Sequence, residues 1–341
     1  MSDNELNTDD PRFSADALIS PSVRQRLESA NRAGALVGGW LLAGPRQIGK
    51  ATLAYAIAQW VIGQTDHLGA TNPQVAPLIH NGSHPDLFVV ERQAHEKTGR
   101  MRSEIVVDDI RGVINGLHRT STTGHRVVIV DTADDLNRQA ANALLKMLEE
   151  PPQGTLLLLL SSAPGRLLPT IKSRCRKLSL APLKDEELLP FLEKNRGLRG
   201  QEAADIVRLA GGRPGRALDL ASGEGAEARK LVQGFWSALS PRGDLIAAAT
   251  AMASKTADEL WPEVRQLILD DIGDAIVCRG RGETPLRTEL AEADVPALLD
   301  LHENLTALTR RADALNSDRT QTALMMGLKT REAARGSHAG R

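Results

Sequence analysis

The chain has 341 residues, 41% hydrophobic and 25% charged, with a formal net charge of −1, the composition of an ordinary folded protein with room for two or three domains. A charge so close to neutral argues against coating nucleic acid by bulk charge and leaves only a local basic face for such a role. Two cysteines, Cys175 and Cys278, cannot build a disulfide framework and fit a reducing cytoplasm, and no apolar run approaches the roughly 20 residues of a membrane span.

Residues 1–20 open on a polar, acidic stretch without the charged-then-apolar pattern of a signal sequence, and disorder is expected there. Residues 21–34 read as a helix with a weak apolar face at Leu27 and Ala30. The stretch 40–52, WLLAGPRQIGKAT, then combines a buried strand, a glycine loop and a helix start. Gly44, Gly49 and Lys50 meet the frame G-x-x-x-x-G-K-[ST] of a phosphate loop, in which backbone amides and a lysine cradle phosphate oxygens. The hydroxyl that should follow the lysine and hold Mg²⁺ is replaced by Ala51, with Thr52 one residue late. Leu53, Ala54, Ile57, Ala58 and Val61 continue at helical spacing.

Residues 63–86 are polar and punctuated by Gly, Pro and Asn, and 87–90 are a short apolar run with strand character. Ile105, Val106, Ile110, Val113, Ile114 and Leu117 predict an amphipathic helix over 103–118. In RVVIVDTADDL, residues 126–136, an unbroken apolar run ends in Asp131, as in a strand buried on both faces of a parallel sheet. A carboxylate at that strand end, beside a phosphate loop, is placed to hold the water shell of Mg²⁺. The next residue is Thr132, which cannot serve as a carboxylate base, and Asp134 and Asp135 read as a turn approaching a helix cap.

Asn137 caps a predicted helix with Ala140, Ala141, Leu144, Leu145 and Leu148 on its buried stripe, stopped by Pro151 and Pro152. A leucine strand over 155–160 ends at Ser161 and Ser162, hydroxyls that either feel a terminal phosphate or satisfy a loop. Residues 166–177 carry Arg166, Lys172, Arg174, Arg176 and Lys177 with no acidic residue, and 177–180 read as a fifth strand. Beyond residue 223 the pattern turns to amphipathic helices, with Val232, Phe235, Trp236 and Leu239 on one stripe and Val264, Leu267, Ile268 and Ile272 on another.

GPRQIGKAT, VVIVDTADDLN, AANALLKMLEEPP and APGRLLPTIKSRC together resemble the clamp-loader branch of the AAA+ ATPases. The resemblance implies an α/β AAA+ P-loop domain with a parallel five-stranded sheet over residues 21–182. A small helical lid would span 183–222 and an all-α collar for oligomerisation 223–332, leaving a loose tail at 333–341. It also implies that Arg174, flanked by Ser173 and Cys175, reaches in trans to the nucleotide of a neighbouring subunit. A strand-edge arginine paired with a carboxylate is the plainer reading of the same residue. Gly44, Gly49, Lys50, Thr52 and Asp131 would form a degenerate nucleotide site.

Three departures from an active ATPase agree with one another: Ala51, Thr132, and Gly215 where the lid motif expects an arginine, between Arg213 and Arg216. The resemblance implies a subunit of the DNA polymerase III holoenzyme, a nucleotidyltransferase assembly, and the three departures point to no activity of its own and no required cofactor, with residual ATP or ADP binding left open. The family often carries a four-cysteine zinc module in the region of residues 63–86; only His67, His80 and His84 lie there, which argues against zinc and leaves no metal site. The implied partners are the other clamp-loader subunits (gamma/tau and delta), the sliding clamp and primer-template DNA, with no membrane. One competing reading is a working AAA+ ATPase with Thr52 displaced into the metal role. Another is a nucleic-acid module built on the 166–177 patch.

Overall fold

Five strands account for the apolar runs of the first half: β1 (Gly38–Ala43), β2 (Leu87–Glu91), β3 (Arg126–Asp131), β4 (Thr155–Ser161) and β5 (Cys175–Ser179). All pair in parallel, in the order β2-β3-β4-β1-β5. Their side chains alternate between two cores. Trp40, Leu42, Val127, Ile129, Leu156, Leu158 and Leu160 enter one, while Leu41, Ala43, Val128, Val130, Leu157 and Leu159 enter the other. A strand with both faces covered has no polar side to show, which is why β3 and β4 read as continuous apolar runs.

The first core is closed by α1 (Pro21–Arg32), α2 (Lys50–Gly63) and α3 (Ala76–His80), the second by α4 (Val107–Leu117), α5 (Arg138–Glu149) and α6 (Pro169–Lys172). Local chemistry sets their starts. Ser20 accepts from the Val23 amide at 3.4 Å ahead of Pro21, and Asn137 accepts from the Ala140 amide at 2.9 Å. The helix predicted from residue 103 begins only at Val107, because Ile105 is held in a parallel bridge to Leu136. Its amide donates to Asp135 O at 2.7 Å and its carbonyl accepts from the Asn137 amide at 3.1 Å. The fifth strand likewise starts at Cys175, two residues before the apolar signal.

The computed structural model describes residues 10–12, 18–95, 99, 101–254, 257, 259–315 and 317–334. Most of the expected disordered start (1–20) and loose tail (333–341) therefore lies outside the described residues. The chain divides into two compact units, Met1–Ala217 and Leu218–Arg341. The first also contains α7 (Asp185–Arg196) and α8 (Gly200–Ala210), and α9 (Pro214–Ala221) crosses the division.

The second unit is helical: α10 (Gly223–Ala238), α11 (Leu245–Met252), α12 (Trp261–Gly280), α13 (Val295–Leu315) and α14 (Arg319–Ala334). The stripes on α10 and α12 are buried as their spacing requires. Between them the Trp236 indole and the Arg287 guanidinium both donate to Asp271 Oδ2, at 2.8 and 2.7 Å, and Arg287 lies 5.3 Å from the Trp236 ring centroid. The buried carboxylate is thus neutralised as well as hydrogen-bonded.

Candidate functional site

The glycine loop leaves the C-terminal end of β1 and turns into α2 at Gly49, whose φ of +93° belongs to the left-handed region open to glycine. Lys50 is the first residue of α2 and only 8% exposed. Its ammonium turns back onto the loop, donating to Gly44 O at 2.8 Å, Pro45 O at 2.6 Å and Ser162 Oγ at 2.9 Å. Burial pushes the Lys50 pKa down to about 8, opposed by the nearby carboxylates of Asp131 and Asp134. Ala51 packs against the first core. Thr52 is one residue further along the helix, rotated by about 100° from Ala51, so the two side chains leave α2 in different directions.

Asp131 ends β3 opposite Glu91 at the end of β2. Burial raises its pKa, Glu91 raises it further, and Lys50 opposes both. The Thr132 hydroxyl donates to Leu160 O at 2.9 Å, tying β3 to β4. Asp134 does more than the turn expected of it. Although it sits in a short 3-10 turn, Ala133–Asp135, its carboxylate accepts from Ser161 Oγ at 2.6 Å and from the amides of Ser162 and Ala163 at 2.6 and 3.2 Å. It therefore fixes the end of β4 and, through Ser162, the acceptor used by Lys50. The sequence signal was a carboxylate just past one strand and a serine pair at the end of another. Asp135 is instead paired with Arg92 at 3.1 Å.

In the segment read as the lid motif, Gly215 donates its amide to Gln47 O at 2.9 Å. A Cβ at Gly215 would lie 3.0 Å from that oxygen and 3.2 Å from Gln47 Cβ, so the missing side chain is what admits the loop. Gln47 itself holds φ at +61°. Arg213 and Arg216 are 7% and 2% exposed, and Arg213 Nε donates to Ala210 O at 3.1 Å. Arg213 is thus directed at its own preceding helix.

Arg174 lies between α6 and β5. Since Gly39 is in register with Cys175, and Ala43 with Ser179, Arg174 stands at the N-terminal edge of the sheet, away from the loop that follows Ala43. Its guanidinium pairs with Glu149 Oε1 at 2.7 Å and donates to Thr170 O at 3.1 Å and Ser173 Oγ at 3.4 Å. The plainer pattern, an arginine on a carboxylate, is therefore present. Ser173 donates to Thr170 O at 3.1 Å, and the half-buried Cys175 thiol is pushed up to about 11 by burial, an inert group. Of the basic patch, Arg176 is turned away, donating to Ala35 O at 2.8 Å with its guanidinium 5.8 Å from the Trp40 ring centroid.

The histidines between α2 and β2 are spread over separate contacts. His80 meets Gln59 at 3.2 Å, and His84 Nδ1 accepts from the Asp86 amide at 3.1 Å. Among the described residues no three His, Cys, Asp or Glu side chains are grouped to hold a metal ion, and no helix is long and apolar enough to cross a membrane.

A parallel five-stranded sheet with a glycine loop after β1 and a carboxylate ending β3 defines a P-loop module of AAA+ type. The family model described as DNA polymerase III, delta subunit, matches residues 19–184. A DNA polymerase III subunit delta' from Pseudomonas aeruginosa is 44% identical over 139 residues, covering 40% of this chain and 40% of that one. The subunit delta' from Escherichia coli is 30% identical over 226 residues, covering 65% of this chain and 66% of that one. Each alignment spans less than two thirds of the relative's own length. Over its matched residues the chain is similar to the delta-prime subunits of DNA polymerase III. Among solved structures, a DNA polymerase III gamma subunit-related protein from Thermotoga maritima is similar at 19% identity with a TM-score of 0.45, covering 91% of this chain and 99% of that one.

Proposed function

We propose that this chain is a ring member of the clamp loader that hydrolyses no ATP itself and supplies Arg174 to the nucleotide of an adjacent ATPase subunit. The observation that carries the reading is the separation of Arg174 from the chain's own phosphate loop. The strand register puts Gly38 to Gly44 between them, roughly 20 Å at the usual rise per residue, so a role in cis is out of reach. An exposed guanidinium on that edge suits a site completed by a neighbour, where a fixed positive charge stabilises the transferring phosphoryl group.

The absence of hydrolysis is supported at three places. Ala51 offers no hydroxyl to Mg²⁺, Thr132 is spent on Leu160 O, and Lys50 is held by two loop carbonyls and Ser162. In this reading the chain requires no nucleotide or metal of its own. It works in the cytoplasm with the gamma/tau and delta subunits, and it meets the sliding clamp and primer-template DNA through the assembly.

The test is Arg174→Ala in a reconstituted loader. Turnover at the site it completes should fall by about 10³ or more; unchanged ATPase of the assembled loader overturns the finger. MgATP turnover by the purified chain, set against Lys50→Ala, tests the other half. Turnover abolished by that substitution would instead make the chain a catalytic subunit.

A further inference from the structure

We propose that Glu149 is a holding residue for Arg174, stowing its guanidinium on the chain's own surface until a neighbour's nucleotide competes for it. The inference rests on the trans role proposed for Arg174. Three observations carry it, the first being that both terminal nitrogens of the guanidinium are engaged within the chain. Nη2 is on Glu149 Oε1 at 2.7 Å, and Nη1 is on Thr170 O at 3.1 Å and Ser173 Oγ at 3.4 Å. With three of its five N–H donors engaged, both of those on Nη1 among them, the fork must release a partner before its two Nη groups together face a phosphate end-on.

Second, Glu149 is the last residue of α5, followed by the capping residue Glu150, and Lys146 is the one basic residue in that last turn. A carboxylate at a helix C-terminus faces the negative end of the helix dipole, an unfavourable place that a cation relieves. Arg174 is that cation, which gives the acid a reason to hold it. Third, the pair is accessible, with the two side chains 36% and 49% exposed. Solvent-exposed pairs of this kind shift an equilibrium by only about 1.4- to 5-fold, so the hold is strong enough to bias Arg174 and weak enough for a polyphosphate to break. Population arithmetic then makes Glu149 a tax on nucleotide affinity at the neighbouring site, not on the chemical step.

The experiment uses the reconstituted loader carrying wild-type chain, Glu149→Gln, Glu149→Asp, Arg174→Ala or Glu149→Gln with Arg174→Ala, with assembly checked by gel filtration. The affinity for a fluorescent ATP analogue and the steady-state turnover are both read. Glu149→Gln should tighten the analogue by about two- to fivefold with kcat within twofold of wild type, and Glu149→Asp, which keeps the charge, should stay closer to wild type. In the Arg174→Ala background the same substitution should change nothing. An equal tightening there would show that Glu149 acts through something other than Arg174 and would overturn the proposal.

A separate reading on the isolated chain, nitrogen-detected NMR of the arginine Nη groups, should show Arg174 losing its restricted rotation in Glu149→Gln. Unchanged Nη signals together with unchanged affinity would remove the hold while leaving the finger standing, provided Arg174→Ala still abolishes turnover. If Arg174→Ala leaves turnover intact, both fall together.

Discussion

The amide of Gly215 donates to the carbonyl of Gln47 at 2.9 Å, so the start of α9 rests directly on the glycine loop. In the family resemblance Gly215 occupies the place of a lid arginine, and the contact explains why a side chain is not simply missing there. Its Cβ would come within 3.0–3.3 Å of Gln47 O, Cβ and Cα, of which two are backbone atoms that cannot swing aside. Gly215→Arg should therefore destabilise the chain by about 1–3 kcal/mol in urea denaturation and confer no MgATP turnover. Turnover gained at undiminished stability would mean that the arginine was the only thing the site lacked.

Asp86 is 1% exposed and accepts from the amides of Thr122 and Thr123, both at 3.0 Å, and from both hydroxyls. Burial pushes its pKa up, but hydrogen bonds from the Thr122, Ser121 and Thr123 side chains and the Thr123 amide outweigh it, and the net shift is down. A carboxyl depressed in the folded state contributes stability above its unfolded pKa of 3.8, and that stability is lost as pH falls through the lower folded value. Asp86→Asn should cost about 2–4 kcal/mol at pH 7, because donors that converge on one charged carboxylate oxygen then meet a neutral amide oxygen. The gap between the two urea midpoints should narrow as pH drops below 3.8. A gap independent of pH would show that the charge is not what holds the 121–125 loop.

Lys50 gives a slope of the same sign at alkaline pH, although here burial and not hydrogen bonding lowers the pKa. Its pKa is lowered from 10.5 to about 8, so between those values the unfolded chain binds a proton that the folded chain has lost. Stability from this group must then rise with pH across that window, by at most about 1.4 kcal/mol per unit. Compared with Lys50→Met, the wild-type chain should gain stability from pH 8 to pH 10, read from paired denaturation curves. A difference that stays flat, or falls, would mean that the three acceptors hold the ammonium charged throughout.

What the sequence made legible follows from how directly each signal maps to a backbone need. The β3 and β4 runs and the Asn137 cap were readable because continuous burial and an N-cap each demand particular residue types at particular places. The start of α4 was not, because Ile105 fits an amphipathic stripe equally well whether it is helical or bridged to Leu136. Within the candidate site the glycine loop and Asp131 were visible as motifs. The partners that decide what they do, Ser162 for Lys50, Glu149 for Arg174 and Gln47 for Gly215, lie 112, 25 and 168 positions away in the chain and carry no local signature. Asp134 was legible only as part of a turn for the same reason, since its acceptor role depends on a strand that arrives later.

That residue supports a last prediction. Asp134 collects the Ser161 hydroxyl and the Ser162 and Ala163 amides, and Ser162 in turn accepts from Lys50. Asp134→Ala strands these donors in a partly buried place and removes the anchor of the turn, so it should destabilise the chain by about 2–4 kcal/mol. Asp134→Asn keeps the shape and one acceptor oxygen and should lose roughly half as much. Hydrogen exchange separates this from a diffuse loss of packing: the Ser162 and Ala163 amides should lose protection in Asp134→Ala well before the β4 amides that bond to the neighbouring strands. If all of β4 loosened together, Asp134 would be a general support of the sheet end and not the pin that holds the Lys50 acceptor.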